Sequence, residues 1–132
     1  MNYELTDETI EYDGKTIYRI RALVDIPYHS VKAGDLGGFI EKVENLQGNA
    51  WVFGNALVSG SASVFDNAVV FDDAAVFDDA WVSGDAKVYG NAQVFGSAEV
   101  SDHAKVYGNA KVYGKALVCG TDEVSGYAKV TK

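Results

Sequence analysis

At 132 residues, with one cysteine and a formal charge of −8, the chain suffices for one compact unit but has no disulfide framework. Its acidic balance argues against direct nucleic-acid binding, which needs a basic face. No apolar run approaches the roughly 20 residues of a membrane span, and residues 1–25 lack the apolar stretch of a secretory signal, so a cytoplasmic location is expected.

Residues 1–47 follow no repeat. A hairpin is predicted from Thr9–Tyr12 through Asp13-Gly14 into Lys15–Arg21, because Asp-Gly between alternating apolar residues is a strong hairpin signal. A loop over Ile26–Ser30 follows, then a glycine-containing stretch, Val31–Glu41. Gly34, Gly37 and Gly38 match no phosphate-cradle spacing and lead into no helix. The block reads as a small β-rich cap, covering strand edges that a first coil would otherwise expose.

From Gly48 fourteen hexads run without a slip in register, beginning GNAWVF, GNALVS, GSASVF, DNAVVF. Every sixth residue from Val52 to Val130 is Val, and two residues before each stands Ala, except at Asp122. Such a period is the signature of a β-solenoid. Ala-x-Val places Ala and Val on one face of a short strand, and the Gly/Asp-Asn/Asp/Ser pair turns the chain. Three strands and three turns make an 18-residue triangular coil, so residues 48–132 give between four and five coils. Inward Val side chains, each contributing roughly 1.5–3 kcal/mol on burial, form the core.

The hexads resemble those of the bacterial hexapeptide-repeat superfamily, which implies an all-β, left-handed parallel β-helix. The block IYRIRALVDI followed by VKAGDLGGFIE and ENLQGNAWV resembles the opening of uncharacterised hexapeptide-repeat proteins of bacteria, phages and prophages. That likeness spans cap and repeats, and it implies a phage or prophage origin within a bacterial host; it brings no catalytic residue with it. The sequence departs from the acyltransferase pattern after the inward Val, where aromatic residues replace small or acidic ones.

The enzyme readings are weak. Hexapeptide acyltransferases need a catalytic His and a protruding loop, whereas here no insertion interrupts the hexads, and His103 reads as a turn residue. The carbonic anhydrases of the superfamily use three zinc-binding histidines; this chain has His29 and His103 only. No Ser-His-Asp or Cys-His arrangement is found, and Cys119 stands alone in a turn-entry column. No catalytic residue, cofactor or metal site is expected.

Two features suggest binding instead. Asp66, Asp72, Asp73, Asp78, Asp79 and Asp85 fall in consecutive turns, with no base among residues 48–86, and form an acidic ring expected to meet a partner. The residues after each inward Val sort into columns, two of them aromatic: Phe71, Tyr89 and Tyr107 in one, Phe77, Phe95 and Tyr113 in the other. These six rings are candidates both for in-register stacking and for a homo-oligomer interface, dimer or trimer. An open last coil, carrying Asp122 at an inward position, offers a second self-association surface.

The expectation is a non-enzymatic protein-binding and assembly module, self-associating and acting on a host protein. One alternative is an acidic, nucleic-acid-mimicking inhibitor of the anti-defence or anti-CRISPR type, directed at a nucleic-acid-binding host enzyme. A degenerate acyltransferase relative is another.

Overall fold

The Ala-x-Val repeat folds as its period requires. In the computed structural model, which describes residues 2–132, each hexad contributes a strand of two or three residues and a two-residue turn. Strands 18 residues apart pair in parallel, Trp51 with Val69, Val69 with Lys87, Lys87 with Lys105 and Lys105 with Glu123. The result is a β-solenoid of about five turns with three faces. Face one holds the strands beginning at Trp51, Val69, Lys87, Lys105 and Glu123. Face two holds those beginning at Leu57, Ala75, Gln93, Lys111 and Lys129, and face three those beginning at Ser63, Trp81, Glu99 and Leu117.

The Val and Ala columns make one continuous core. Every repeat Val from Val52 to Val118, and every repeat Ala from Ala50 to Ala116, is buried. In the last coil Val124 and Val130 are only half-buried, and Asp122 and Ala128 are exposed. Asp122 therefore does not enter the core; its column ends in solvent.

The corners explain the first position of each hexad. Twelve glycines of the chain have positive φ, ten of them at solenoid corners from Gly48 (φ 63°) to Gly126 (φ 64°). The remaining corners are Asp66, Asp72, Asp78 and Asp102, also left-handed at φ 58–60°. His103 occupies the second turn position with ordinary φ; the left-handed residue is Asp102 before it. Tolerance of left-handed geometry is therefore not what places a histidine there.

The N-terminal block consists of β1 (Tyr3–Tyr12), β2 (Lys15–Ala22) and β3 (Leu36–Ile40). Asp13 and Gly14 both have positive φ, as a two-residue hairpin turn requires. β1 pairs with β2 and β2 with β3, antiparallel, and β3 joins face two in parallel beside the Leu57 strand. The 18-residue pairing thus runs back past Gly48, with Phe39 opposite Leu57 and Leu46 opposite Val64. β3 completes part of a coil without the hexad sequence.

Gly37 and Gly38 serve this junction. A Cβ on Gly37 would lie 2.6 Å from the Val52 carbonyl oxygen, and one on Gly38 would lie 2.5 Å from that of Ala56. Close approach of two backbones accounts for the glycine pair. Asn45 ties the next turn down: wholly buried, it donates through Nδ2 to the carbonyls of Gly60 (3.1 Å) and Ala62 (2.8 Å). Its Oδ1 accepts from the N–H groups of Glu41 (3.1 Å) and Lys42 (2.8 Å). The Tyr3 hydroxyl sits 2.6 Å from the Val43 carbonyl and 2.7 Å from that of Leu46. Burial pushes its pKa up to about 12.

The cap also wraps around the sides. A register shift between Leu5 and Thr9 interrupts the β1–β2 pairing, and one between Arg19 and Arg21 interrupts the β2–β3 pairing; such irregularities bend strands. Ile17 packs with Phe39, Leu57 and Ala75 on the outside of face two, and Tyr12 meets the Phe77 ring edge-on at 6.3 Å. The segment 23–35 lies against face one, where Trp51 and Val69 are buried. A bridge between Ile26 and Val31, and the Ala33 N–H donating to Asp25 Oδ1 at 2.8 Å, hold its shape.

Candidate functional site

A groove opens where segment 23–35 meets face one. This groove of about 920 Å³ runs between two solenoid corners and is floored by Val69 and Lys87. Tyr28, His29, Phe53 and Phe71 supply aromatic walls; Asp72, Asp73 and Asp85 supply carboxylates; Asn55, Asn67 and Asn91 supply amides. Aromatic rings and polar side chains thus converge on one recess, as they do in many binding sites.

The cap side of the groove is latched to the solenoid. The Tyr28 hydroxyl donates to Asp85 Oδ1 at 2.7 Å, and His103 Nδ1 lies 3.6 Å from Asp85 Oδ2. The tyrosine hydrogen bond, then the nearby imidazole, hold the Asp85 carboxyl below its usual range. The same bond raises Tyr28. The His29 ring meets Tyr28 edge-on at 5.0 Å and Phe53 edge-on at 6.5 Å. Burial lowers its pKa, so it is neutral at pH 7, and its Nε2 is enclosed without a hydrogen-bond partner among the described residues.

The six predicted aspartates divide into three groups. Asp66, Asp72 and Asp78 are left-handed corner residues whose Oδ2 accepts the N–H of the corner residue one coil on: Gly84 at 3.1 Å, Gly90 at 3.1 Å and Gly96 at 3.0 Å. Asp102, outside the predicted ring, does the same for Gly120 at 3.0 Å. In these corners Asp replaces Gly, and the charge-assisted bond offsets the cost of its left-handed backbone. Asp73 and Asp79 take the second turn position, are exposed, and make no side-chain hydrogen bond or ion pair among the described residues. Asp85 takes that same position at the third corner and forms the latch. The groove gathers Asp72, Asp73 and Asp85; Asp66, Asp78 and Asp79 lie outside it.

The aromatic columns are stacked. Phe71 on Tyr89 and Tyr89 on Tyr107 have centroid separations of 4.7 and 4.9 Å, with planes within 7° of parallel. Phe77 on Phe95 and Phe95 on Tyr113 are each 5.0 Å apart. All six rings are half-buried. Rings fixed at the coil spacing stabilise the corners, presenting their edges outward. Large apolar exposure lies elsewhere, at Trp81 on face three (50 % exposed), Leu117 and Tyr127.

Sequence reasoning missed Tyr28 and His29 as groove residues. Ile26–Ser30 stood out as a loop, but its fold back onto a face one coil away left no local signal. Among the described residues no group of three or more His, Cys, Asp or Glu side chains is placed to hold a metal ion, and no helix is long and apolar enough to cross a membrane. In comparisons with known proteins, no family model and no curated protein matches the chain significantly.

Proposed function

We propose that this chain is a non-enzymatic binding module of the hexapeptide-repeat, left-handed β-helix kind, encoded by a phage or prophage and directed at a protein of the bacterial host. The observation that carries the reading is the groove beside segment 23–35. It is a shaped recess with rings, amides and carboxylates, and Asp73 in it has no structural task. Carboxylates tied to corner amides cannot reorient freely, so recognition falls to Asp73, Asp79 and Asp85. A rigid solenoid holds such groups at fixed spacing, which lowers the ordering cost of binding.

Self-association belongs to the same reading. The sites to probe are the rings distant from the cap, because Phe77 also receives Tyr12. Tyr113→Glu should yield a folded chain of lower native mass if the ladder edge is the interface.

The test is affinity capture from the bacterial host followed by native mass spectrometry. Wild type should retain a host polypeptide, and the double variant Asp73→Lys, Asp79→Lys should lose it while keeping its circular dichroism. Capture undiminished in the folded variant would contradict the reading.

A further inference from the structure

We propose that the groove receives an arginine side chain carried by a basic segment of the partner protein; this rests on the reading of the chain as a binding module. The first support is a break in one aromatic column. Tyr89 covers one face of Phe71 in parallel, at 4.7 Å. One coil earlier Phe53 does not continue the stack but meets His29 edge-on. Phe53 and Phe71 both line the groove, so the face of Phe71 away from Tyr89 is the one available to an occupant. In the other column the corresponding place is filled by the chain itself, where Tyr12 meets Phe77. One ladder is plugged; the other ends at a recess.

Charge supplies the second support. The recess has Asp72, Asp73 and Asp85 against the single ammonium of Lys87. Asp73 is exposed and unengaged, and Asp72 commits only Oδ2, to Gly90. His29, kept neutral by burial, adds no competing cation. Phosphate or another anion would be repelled. A guanidinium is a planar cation that stacks on a ring face while donating in-plane to carboxylates, which a lysine ammonium does less well. The chain already uses this chemistry internally: Arg19 lies over the Phe39 ring at 4.4 Å, pairs with Glu8 at 2.9 Å and donates to the Gly37 carbonyl at 2.7 Å.

The experiment is calorimetric titration of the full chain with a Gly/Ser peptide carrying two arginines, and with the same peptide carrying lysines. The arginine peptide should bind about fivefold more tightly, as expected for a ring-face contact. Asp73→Asn should weaken it about tenfold, and Phe71→Leu should remove the preference for arginine over lysine. Asp122→Asn deletes the same charge in the exposed last coil, outside the groove, and should change affinity less than about twofold. Asp73→Asn touches no structural bond, so it tests the site even if Phe71→Leu fails to fold. Equal binding of the two peptides, equal effects of the two Asn variants, or no binding would each overturn the arginine site. Host-protein capture that persists through such a failure would leave the binding-module reading standing. A chain that captures no host protein, yet shows the expected peptide preferences, would overturn that reading and keep the site.

Discussion

On face one the outward residues read Trp51 and Val69, then Lys87, Lys105 and Glu123; on face two they read Leu57 and Ala75, then Gln93, Lys111 and Lys129. The first pair in each column is buried beneath the cap, and the later residues face solvent or border the grooves beyond it. On face three the corresponding residues are Ser63, Trp81, Glu99 and Leu117, and there Trp81 is half exposed. The solenoid backbone is the same along its length, so the outward column records what covers it. Early coils are a platform for the cap, with recognition chemistry at its rim. Later coils are a charged shaft.

The comparison is broken most severely at the junction. Gly38→Ala pushes a Cβ against the Ala56 carbonyl, 2.5 Å away, where backbone must move. The variant should lose about 3 kcal/mol, read as a lower urea midpoint, whereas Gly120→Ala has open space beside its Cβ and costs only the strain of its left-handed backbone, about 1 kcal/mol. Asn45→Ala comes next, since it leaves two N–H groups and two carbonyls of the junction without their side-chain partner. A loss of about 2–3 kcal/mol is expected, and amide exchange should rise across residues 41–47 rather than in the later coils.

A finer contrast separates neighbouring aspartates. Asp78→Ala keeps the left-handed corner but removes both the side chain suited to it and the bond to Gly96. It should cost about 2 kcal/mol, and Asp78→Gly appreciably less, since glycine restores the backbone preference. Asp79→Ala should stay within about 0.5 kcal/mol of wild type. Equal losses for Asp78→Ala and Asp79→Ala would refute the division of the acidic ring into scaffold and surface.

The smallest expected effect is with pH. His29 has a lowered folded pKa, so the unfolded chain binds the extra proton first. Its contribution is fully present above the unfolded value of about 6.5 and is lost as pH falls from there through the folded pKa. Asp85 adds a loss of the same sign at lower pH, through its depressed folded pKa. His29→Gln should flatten the first part of the urea-midpoint profile below pH 7. At the alkaline end Tyr3 acts oppositely: stability is present below pH 10 and is lost towards pH 12, as the unfolded tyrosine ionises first.

Much of the architecture was legible because the hexad states its own geometry. Val every six residues and Ala two before it left one arrangement of strands, and Asp13-Gly14 marked the hairpin. Less legible was anything depending on contacts without a period. Phe39, Ile40 and Leu46 join the coil by pairing at 18 residues while their sequence shows no hexad. Segment 23–35 reaches face one through Tyr28 and Asp85, 57 residues apart. The acidic ring was visible as composition, but its split required backbone angles, because Asp72 and Asp73 look alike in a sequence and differ by a left-handed φ. The outward switch from Trp51 and Val69 to Lys87 was in plain view and marks where the cap ends.

The measurement that most directly tests recognition by the cap-bearing half is hydrogen–deuterium exchange of the full chain with and without the arginine peptide. Slowed exchange is predicted at residues 26–31, whose Tyr28 and His29 wall the groove, and at the 72–73 and 85–91 corners, with residues 115–132 unchanged. Protection confined to 115–132, or spread evenly over both halves, would contradict it.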